Sequence, residues 1–124
     1  MNKENPLQTF VDESPEIQKA YAGFIQSLIE DEGLDKKTKQ LIYIGMKMIA
    51  DDERAVKMHV PMAKAAGATR DEVKGTVLLG LSVIGLKAAS KYLPLVLESY
   101  DSREQINEEN EWMNENKNAL QHHV

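Results

Sequence analysis

Apolar residues recur every three or four positions along most of the chain, and no stretch alternates with a period of two. From Ser14 to about residue 100 this spacing predicts helix throughout, interrupted at a few glycine, proline and charged positions. The pattern therefore predicts an all-α bundle of about five to six helices.

The first predicted helix follows Ser14 as its cap, has Pro15 at its first position and ends at Gly33. Asp35 is placed to cap a second helix. Both helices carry apolar residues at helical spacing, which predicts one buried face on each. The residues on these faces are Ile17, Ala20, Tyr21, Phe24, Ile25, Leu28 and Ile29 in the first helix, and Leu41, Ile44, Gly45, Met48 and Ile49 in the second.

Two aspartates, Asp51 and Asp52, are placed to cap a third helix over about residues 53–66. Gly67 is expected to end that helix in the left-handed conformation. Its apolar side includes the only histidine that lies before the C-terminal tail, His59.

The sequence from Thr69 to about residue 100 also predicts helices. Thr69 and Glu72 have the spacing of a capping box, which starts a fourth helix. The segment 77–97 is apolar and rich in small residues, so we expect close helix packing there. A break near Gly85 would divide this segment into two helices, and Pro94 is expected to kink the last one.

The predicted helix start at Ser14 and the change in charge after residue 100 divide the chain into a short N-terminal arm (1–13), a helical domain (14–100) and a tail (101–124). The tail carries six acidic and two basic residues and is rich in Asn and Glu, a composition typical of disorder. However, apolar residues recur in it every seven positions, so a docking helix is the alternative. These residues are Ile106, Met113 and Leu120.

The composition of the 124 residues excludes several classes of function. The chain has no cysteine, which removes disulfides, thiolate nucleophiles and zinc–thiolate sites. A net charge of −5 argues against nucleic-acid binding. We see neither a secretory signal nor an apolar stretch long enough to span a membrane, so we expect a cytoplasmic protein.

His59 is the main candidate for proton transfer, since histidine has an ordinary pKa of about 6.5. The alternative from sequence is a buried structural histidine with a satisfied hydrogen bond. Asp51, Asp52 and Glu53 precede it, but no H-x-x-x-H or H-E-x-x-H spacing occurs. We therefore expect no metal site and no cofactor.

Four segments resemble the carboxymuconolactone decarboxylase family, whose relatives include the alkylhydroperoxidase D type of peroxidase. They are SPEIQKAYAGF, LDKKTKQLIYIGMKMI, MHVPMAKAAGATRDEV and GTVLLGLSVIGLKAA, within about residues 14–100. The resemblance implies an alkylhydroperoxidase D-like helical bundle that assembles into a homotrimer or homohexamer. It places the site between helices or at a subunit interface.

The resemblance also implies which residues would matter. Peroxidase members have a C-x-x-C motif before the histidine, and its two positions are Asp52 and Ala55 here. Their relay glutamate corresponds to Gln40. Because disulfide exchange needs two thiols, the chain cannot be a thiol peroxidase.

Decarboxylase members also differ from this chain, because they tend to have an arginine soon after the histidine, where Pro61 stands here. A carboxylated substrate usually requires a fixed cation, and Lys57 and Lys64 are the nearest candidates. Such members also tend to have N-N-G before the next helix, where this chain reads Ala-Ala-Gly.

Two functions follow as hypotheses. The first is a cofactor-free lyase or isomerase acting on a small lactone or keto acid, with His59 as general acid and base and Gln40 orienting either His59 or the substrate. Asp52 and Met62 are the candidate substrate-binding residues. The second is a non-catalytic helical oligomer that binds a small molecule or a protein partner on the same scaffold.

Overall fold

The structure, a computed structural model, describes residues 7–102, and both interpretations of the acidic tail concern residues almost entirely outside this range. Every regular element in the described range is helical, which confirms the predicted all-α class. The elements are α1 (Gln8–Glu13), α2 (Pro15–Glu30), α3 (Lys36–Ile49), α4 (Glu53–Ala65), α5 (Arg70–Leu79), α6 (Leu81–Ile84), a π-helical turn (Ala88–Tyr92) and α7 (Leu93–Asp101).

The described chain forms two compact units, which divide after Gly33. In the first unit α1 packs on α2, and the Phe10 and Tyr21 rings lie 6.4 Å apart. Helix α2 begins at Pro15 as predicted, although the Ser14 side chain makes no capping hydrogen bond. The helix ends at Glu30 rather than at Gly33.

The early end of α2 has a local cause. Asp31 takes up an extended conformation directly after the helix. Its Oδ2 accepts a hydrogen bond of 3.2 Å from the Gly33 amide. An aspartate that bonds the backbone two residues on forms a turn, which ends the helix before the glycine is reached.

The second unit, from Leu34 onward, contains the main core. Helix α3 packs on α4 and α5, and α7 packs on α4 and α5 from another side. Ile44 and Met48 of the predicted α3 face are buried, whereas Ile49 remains 48% exposed. The fully buried core side chains are Ile44, Val56, Val60, Ala63, Val73, Val77, Ala88, Tyr92 and Val96.

Most of the predicted caps are confirmed. Asp35 accepts a hydrogen bond from the Thr38 amide at 2.7 Å, and Asp52 accepts one from the Ala55 amide at 3.1 Å. Both hydrogen bonds of the predicted capping box at the start of α5 are present. Gly67 ends α4 with a φ of +102°.

The prediction that Asp51 also caps α4 was wrong. Its backbone has a φ of +60°, the left-handed conformation that only a few non-glycine residues adopt. The reason is tertiary, because its carboxylate faces residues 36 to 41 positions further along the chain.

The apolar segment 77–97, which is rich in small residues, contains more helix breaks than predicted. Helix α5 ends before Gly80, and Gly85 ends α6 with a φ of +70°. Pro94 follows the π-helical turn Ala88–Tyr92 and lies in the first turn of α7. A proline ring collides with the carbonyl four residues earlier in an α-helix, so a wider turn before Pro94 is physically reasonable.

Candidate functional site

Gln40 and His59 are brought together by the packing of α3 against α4. Nδ1 of His59 donates a hydrogen bond to Oε1 of Gln40 at 2.7 Å. His59 is completely buried and Gln40 is nearly so. The structure thus joins the two residues that the sequence singled out as the catalytic candidates.

This hydrogen bond determines the form of the imidazole. An amide oxygen only accepts, so the proton in the bond belongs to Nδ1. In the neutral ring the lone pair is then on Nε2, which is also buried.

Tyr43 is a third member of this site, and the sequence analysis missed it. Its ring stacks on the His59 ring, with centroids 5.2 Å apart and planes 13° from parallel. Tyr43 lies three residues after Gln40 on α3, so both side chains share one helix face. That spacing could have indicated from the sequence that Tyr43 lies on the same face of α3 as Gln40.

The two predicted substrate-binding residues occupy different surroundings. Asp52 is exposed at the start of α4, where its Oδ1 accepts from the Ala55 amide. Met62 is half-buried on α4, one turn after His59. Their role in binding stays a prediction.

The candidate cation Lys64 is engaged elsewhere. Its Nζ donates to the Tyr100 carbonyl at 2.8 Å and lies 4.6 Å from the centre of the Tyr100 ring. These contacts tie α4 to α7. Lys57, the other candidate, is exposed.

A second polar cluster, which the sequence pattern did not predict, is centred on Asp51. The carboxylate accepts hydrogen bonds from Lys87 at 3.0 Å, Lys91 at 2.8 Å and the Tyr92 hydroxyl at 2.5 Å. Lys91 also forms an ion pair with Glu53 at 3.2 Å. The partners come from a distant segment, so no local spacing could have revealed them.

Hydrogen bonding and burial shift the pKa values of Asp51, Lys91 and Tyr92 in this cluster. The bond from Lys91, and then those from Tyr92 and Lys87, hold the pKa of Asp51 well below its usual range. The pKa of Lys91 is raised by Asp51 and Glu53. Burial, followed by the hydrogen bond to Asp51, raises the pKa of Tyr92 to about 12. Asp51 and Lys91 are therefore ionised, and Tyr92 is neutral, across the neutral pH range.

A cavity of about 320 Å³ lies between α3 and the α5–α6 region, and neither His59 nor Gln40 is among its lining residues. Its walls are almost entirely apolar. Within residues 7–102, no three histidine, aspartate or glutamate side chains converge as a metal site would require. No helix in the described part of the chain is long and apolar enough to cross a membrane.

Comparison with known proteins supports the resemblance seen in the sequence. Searches of curated proteins and of solved structures found no significant match. Residues 15–98, however, match the model of the Carboxymuconolactone decarboxylase family. This match spans α2 to most of α7 and includes Gln40 and His59. The all-α chain, which lacks the cysteine pair of the peroxidase members, therefore belongs to the carboxymuconolactone decarboxylase family.

Proposed function

We propose that this protein is a non-catalytic member of its family, a helical subunit that binds a small molecule or a partner on the inherited scaffold. The observation that carries the proposal is the setting of His59. A general acid or base must lie within hydrogen-bonding reach of its substrate. Here the imidazole is completely buried, hydrogen-bonded to Gln40 and stacked on Tyr43.

The surroundings of His59 support the same proposal. Asp52 and Ala55, which stand at the positions of the peroxidase cysteines, contribute to the start of α4 through their capping hydrogen bond. Lys64, which could have held a substrate carboxylate, is bonded to Tyr100. Each of these groups has a structural role that accounts for it without catalysis.

Self-association is the second part of the proposal. Several large apolar side chains of the second unit are exposed, including Leu79 (73%), Val83 (63%) and Leu86 (79%). Soluble proteins bury such groups between subunits when they are numerous. A homotrimer or homohexamer, as the family resemblance implies, would cover them. The other exposed apolar residues of this unit are Leu34, Ile42, Met46, Ile49, Leu78 and Leu81.

One observation favours the alternative, a lyase or isomerase acting on a lactone or keto acid. The Gln40 hydrogen bond holds Nδ1 as the donor, which leaves Nε2 as the basic nitrogen. A catalytic histidine is commonly oriented in this way. In that function Nε2 would need to become accessible to the substrate.

A turnover assay separates the two functions. The wild type and His59→Gln would be incubated with small carboxylated lactones and with 3-keto acids between pH 5 and 9. We expect no turnover above the uncatalysed rate in either protein. Turnover that follows a single inflection with pH and disappears in His59→Gln would overturn the non-catalytic proposal. Circular dichroism would check that the variant is folded.

A further inference from the structure

One side of α2 forms an apolar ridge at the surface of the first unit. The ridge residues follow the spacing i, i+4, i+7 and i+11, which places them in one narrow line along the helix. Their exposed fractions lie between 38% and 67%. The packing of α1 on α2 therefore leaves this apolar side of α2 exposed. The α2 ridge consists of Ile17, Tyr21, Phe24 and Leu28.

The second unit presents a surface of the opposite shape. It is the cavity of about 320 Å³ between α3 and the α5–α6 region, whose lining includes Gly45 and is almost entirely apolar. An amphipathic helix with anchors at i, i+4, i+7 and i+11 lays its apolar side into a groove of this kind. A convex ridge and a concave cavity each complement the other better than they complement a copy of themselves. The exposed residues that line the cavity are Ile42, Met46, Ile49, Leu79 and Val83.

Charge favours the same pairing of surfaces. Residues 1–33 carry seven acidic and two basic side chains, a net charge of −5. Residues 34–100 carry seven acidic and eleven basic side chains, a net charge of +4. Contact between two first units, or between two second units, brings like charges together. Contact between the first unit of one copy and the second unit of another brings opposite charges together.

The exposed area is sufficient for a specific contact between copies. At ordinary side-chain areas, the exposed parts of the α2 ridge and of the cavity residues amount to about 1,000 Å², the least that a biological interface needs. The acidic tail is a competing occupant of the cavity. Its recurring apolar residues supply one anchor in every seven positions, whereas the α2 ridge supplies two.

We propose that the α2 ridge of one copy docks in the cavity of a second copy of this chain. The proposal rests on the self-association proposed above and names the two surfaces that meet. Because every copy carries one ridge and one cavity, the contact repeats from copy to copy. A heterologous contact of this kind closes into a ring when its rotation allows, and a homotrimer is such a ring.

The test uses two full-length variants, each of which blocks one surface. Phe24→Lys places a charge on the α2 ridge, and Leu79→Lys places a charge in the cavity. Light scattering should give each variant alone a lower mass than the wild type. An equimolar mixture should form a complex of twice the mass of either variant. The reason is that Leu79→Lys keeps an intact ridge and Phe24→Lys keeps an intact cavity.

Gly23→Lys is the matched control for the ridge variant. It adds the same charge at an exposed position of α2 that lies outside the ridge, and it should keep the wild-type mass. Circular dichroism would check that each variant is folded. If Phe24→Lys does not fold, Ile17→Lys replaces it, because Ile17 is the most exposed residue of the ridge.

Three results would overturn the proposal while the wild type still associates. Full wild-type mass for Phe24→Lys would assign the cavity to another occupant, such as the acidic tail or a second cavity. Full wild-type mass for Leu79→Lys would mean that the ridges of two copies pair with each other. Loss of mass in both variants without a complex in the mixture would mean that ridge and cavity do not meet. A monomeric wild type would refute the self-association itself, and this contact with it.

Discussion

The Gln40 amide oxygen lies 2.7 Å from Nδ1 of His59, and this hydrogen bond joins α3 to α4 inside the core. Peroxidase members of the family resembled by this sequence have a glutamate at the position of Gln40. A neutral amide bonds the imidazole without bringing a negative charge into the buried site. The pairing thus keeps the geometry of a histidine and its partner while removing the group that would accept a proton from it.

Removing Gln40 should destabilise the protein. Gln40→Ala leaves the buried N–H of His59 without its acceptor, which should cost about 1–3 kcal/mol in the free energy of unfolding. Urea unfolding followed by circular dichroism measures this change. The control is Gln26→Ala, which removes a half-buried glutamine whose hydrogen bond to Glu30 is exposed, and which should change stability by less than about 0.5 kcal/mol. Equal effects of the two substitutions would show that the buried bond contributes nothing.

Replacing Asp51 should lower the stability of the protein even when the new residue adopts the left-handed backbone without strain. Asp51→Gly removes the cost of a φ of +60° but also loses the hydrogen bonds from Lys87, Lys91 and Tyr92. We expect a net loss of stability, with a lower thermal midpoint. A double-mutant cycle with Tyr92→Phe should show coupling, because both variants remove the same hydrogen bond. An increase in the midpoint for Asp51→Gly would contradict this account.

Stability should fall at both ends of the pH range. The pKa of Asp51 is lowered on folding, so its contribution is complete above the ordinary value of about 4 and is lost as the pH falls below it. The pKa of Tyr92 is raised to about 12, so its contribution is complete below about pH 10 and is lost between about pH 10 and 12.

Thermal midpoints measured from pH 2 to 12 would check both losses of stability. Asp51→Asn should reduce the fall in the midpoint at acid pH, and Tyr92→Phe should reduce the fall at alkaline pH. If either fall is unchanged in the corresponding variant, the titration of that residue does not cause it.

Two glycines in the second unit should respond oppositely to alanine. Gly45→Ala fits the space available and should stabilise α3 by about 0.5–1 kcal/mol. Gly80→Ala would force its Cβ against Met48 and the Val77 carbonyl and should destabilise by about 1–3 kcal/mol. Denaturant unfolding of both variants provides the comparison. A loss of stability in Gly45→Ala would mean that another group already occupies this space.

The exposed apolar residues should make the protein associate. Light scattering of the wild type at micromolar concentration should give a mass several times that of the 14.0 kDa chain. Leu79→Lys should reduce this mass by placing a charge in the interface. Gln26→Lys, at a polar position of α2, should leave it unchanged. A monomeric wild type at that concentration would refute the assembly.

Much of the fold follows from the sequence because its causes are local. A capping side chain acts on an amide two or three residues away, so Asp35, Asp52 and Thr69 could be assigned from their spacing alone. The left-handed Gly67 and the burial of Ile44 and Met48 on α3 follow in the same way. The predicted buried face of α2 is wrong for the most part, because Ile17, Tyr21 and Phe24 remain exposed. His59 was found from its chemistry and its place on the apolar side of its helix, whereas Gln40 was found because the family resemblance pointed to its position.

The rest depended on contacts between distant segments. Asp51 looked like a second cap, and only the approach of Lys87, Lys91 and Tyr92 explains its left-handed backbone. The cavity over Gly45 likewise is lined by residues of α3, α5 and α6, and no local periodicity predicts that these residues come together. Local hydrogen bonds thus determined where the helices begin and end, whereas long-range packing decided that His59 is buried and that an apolar space lies elsewhere.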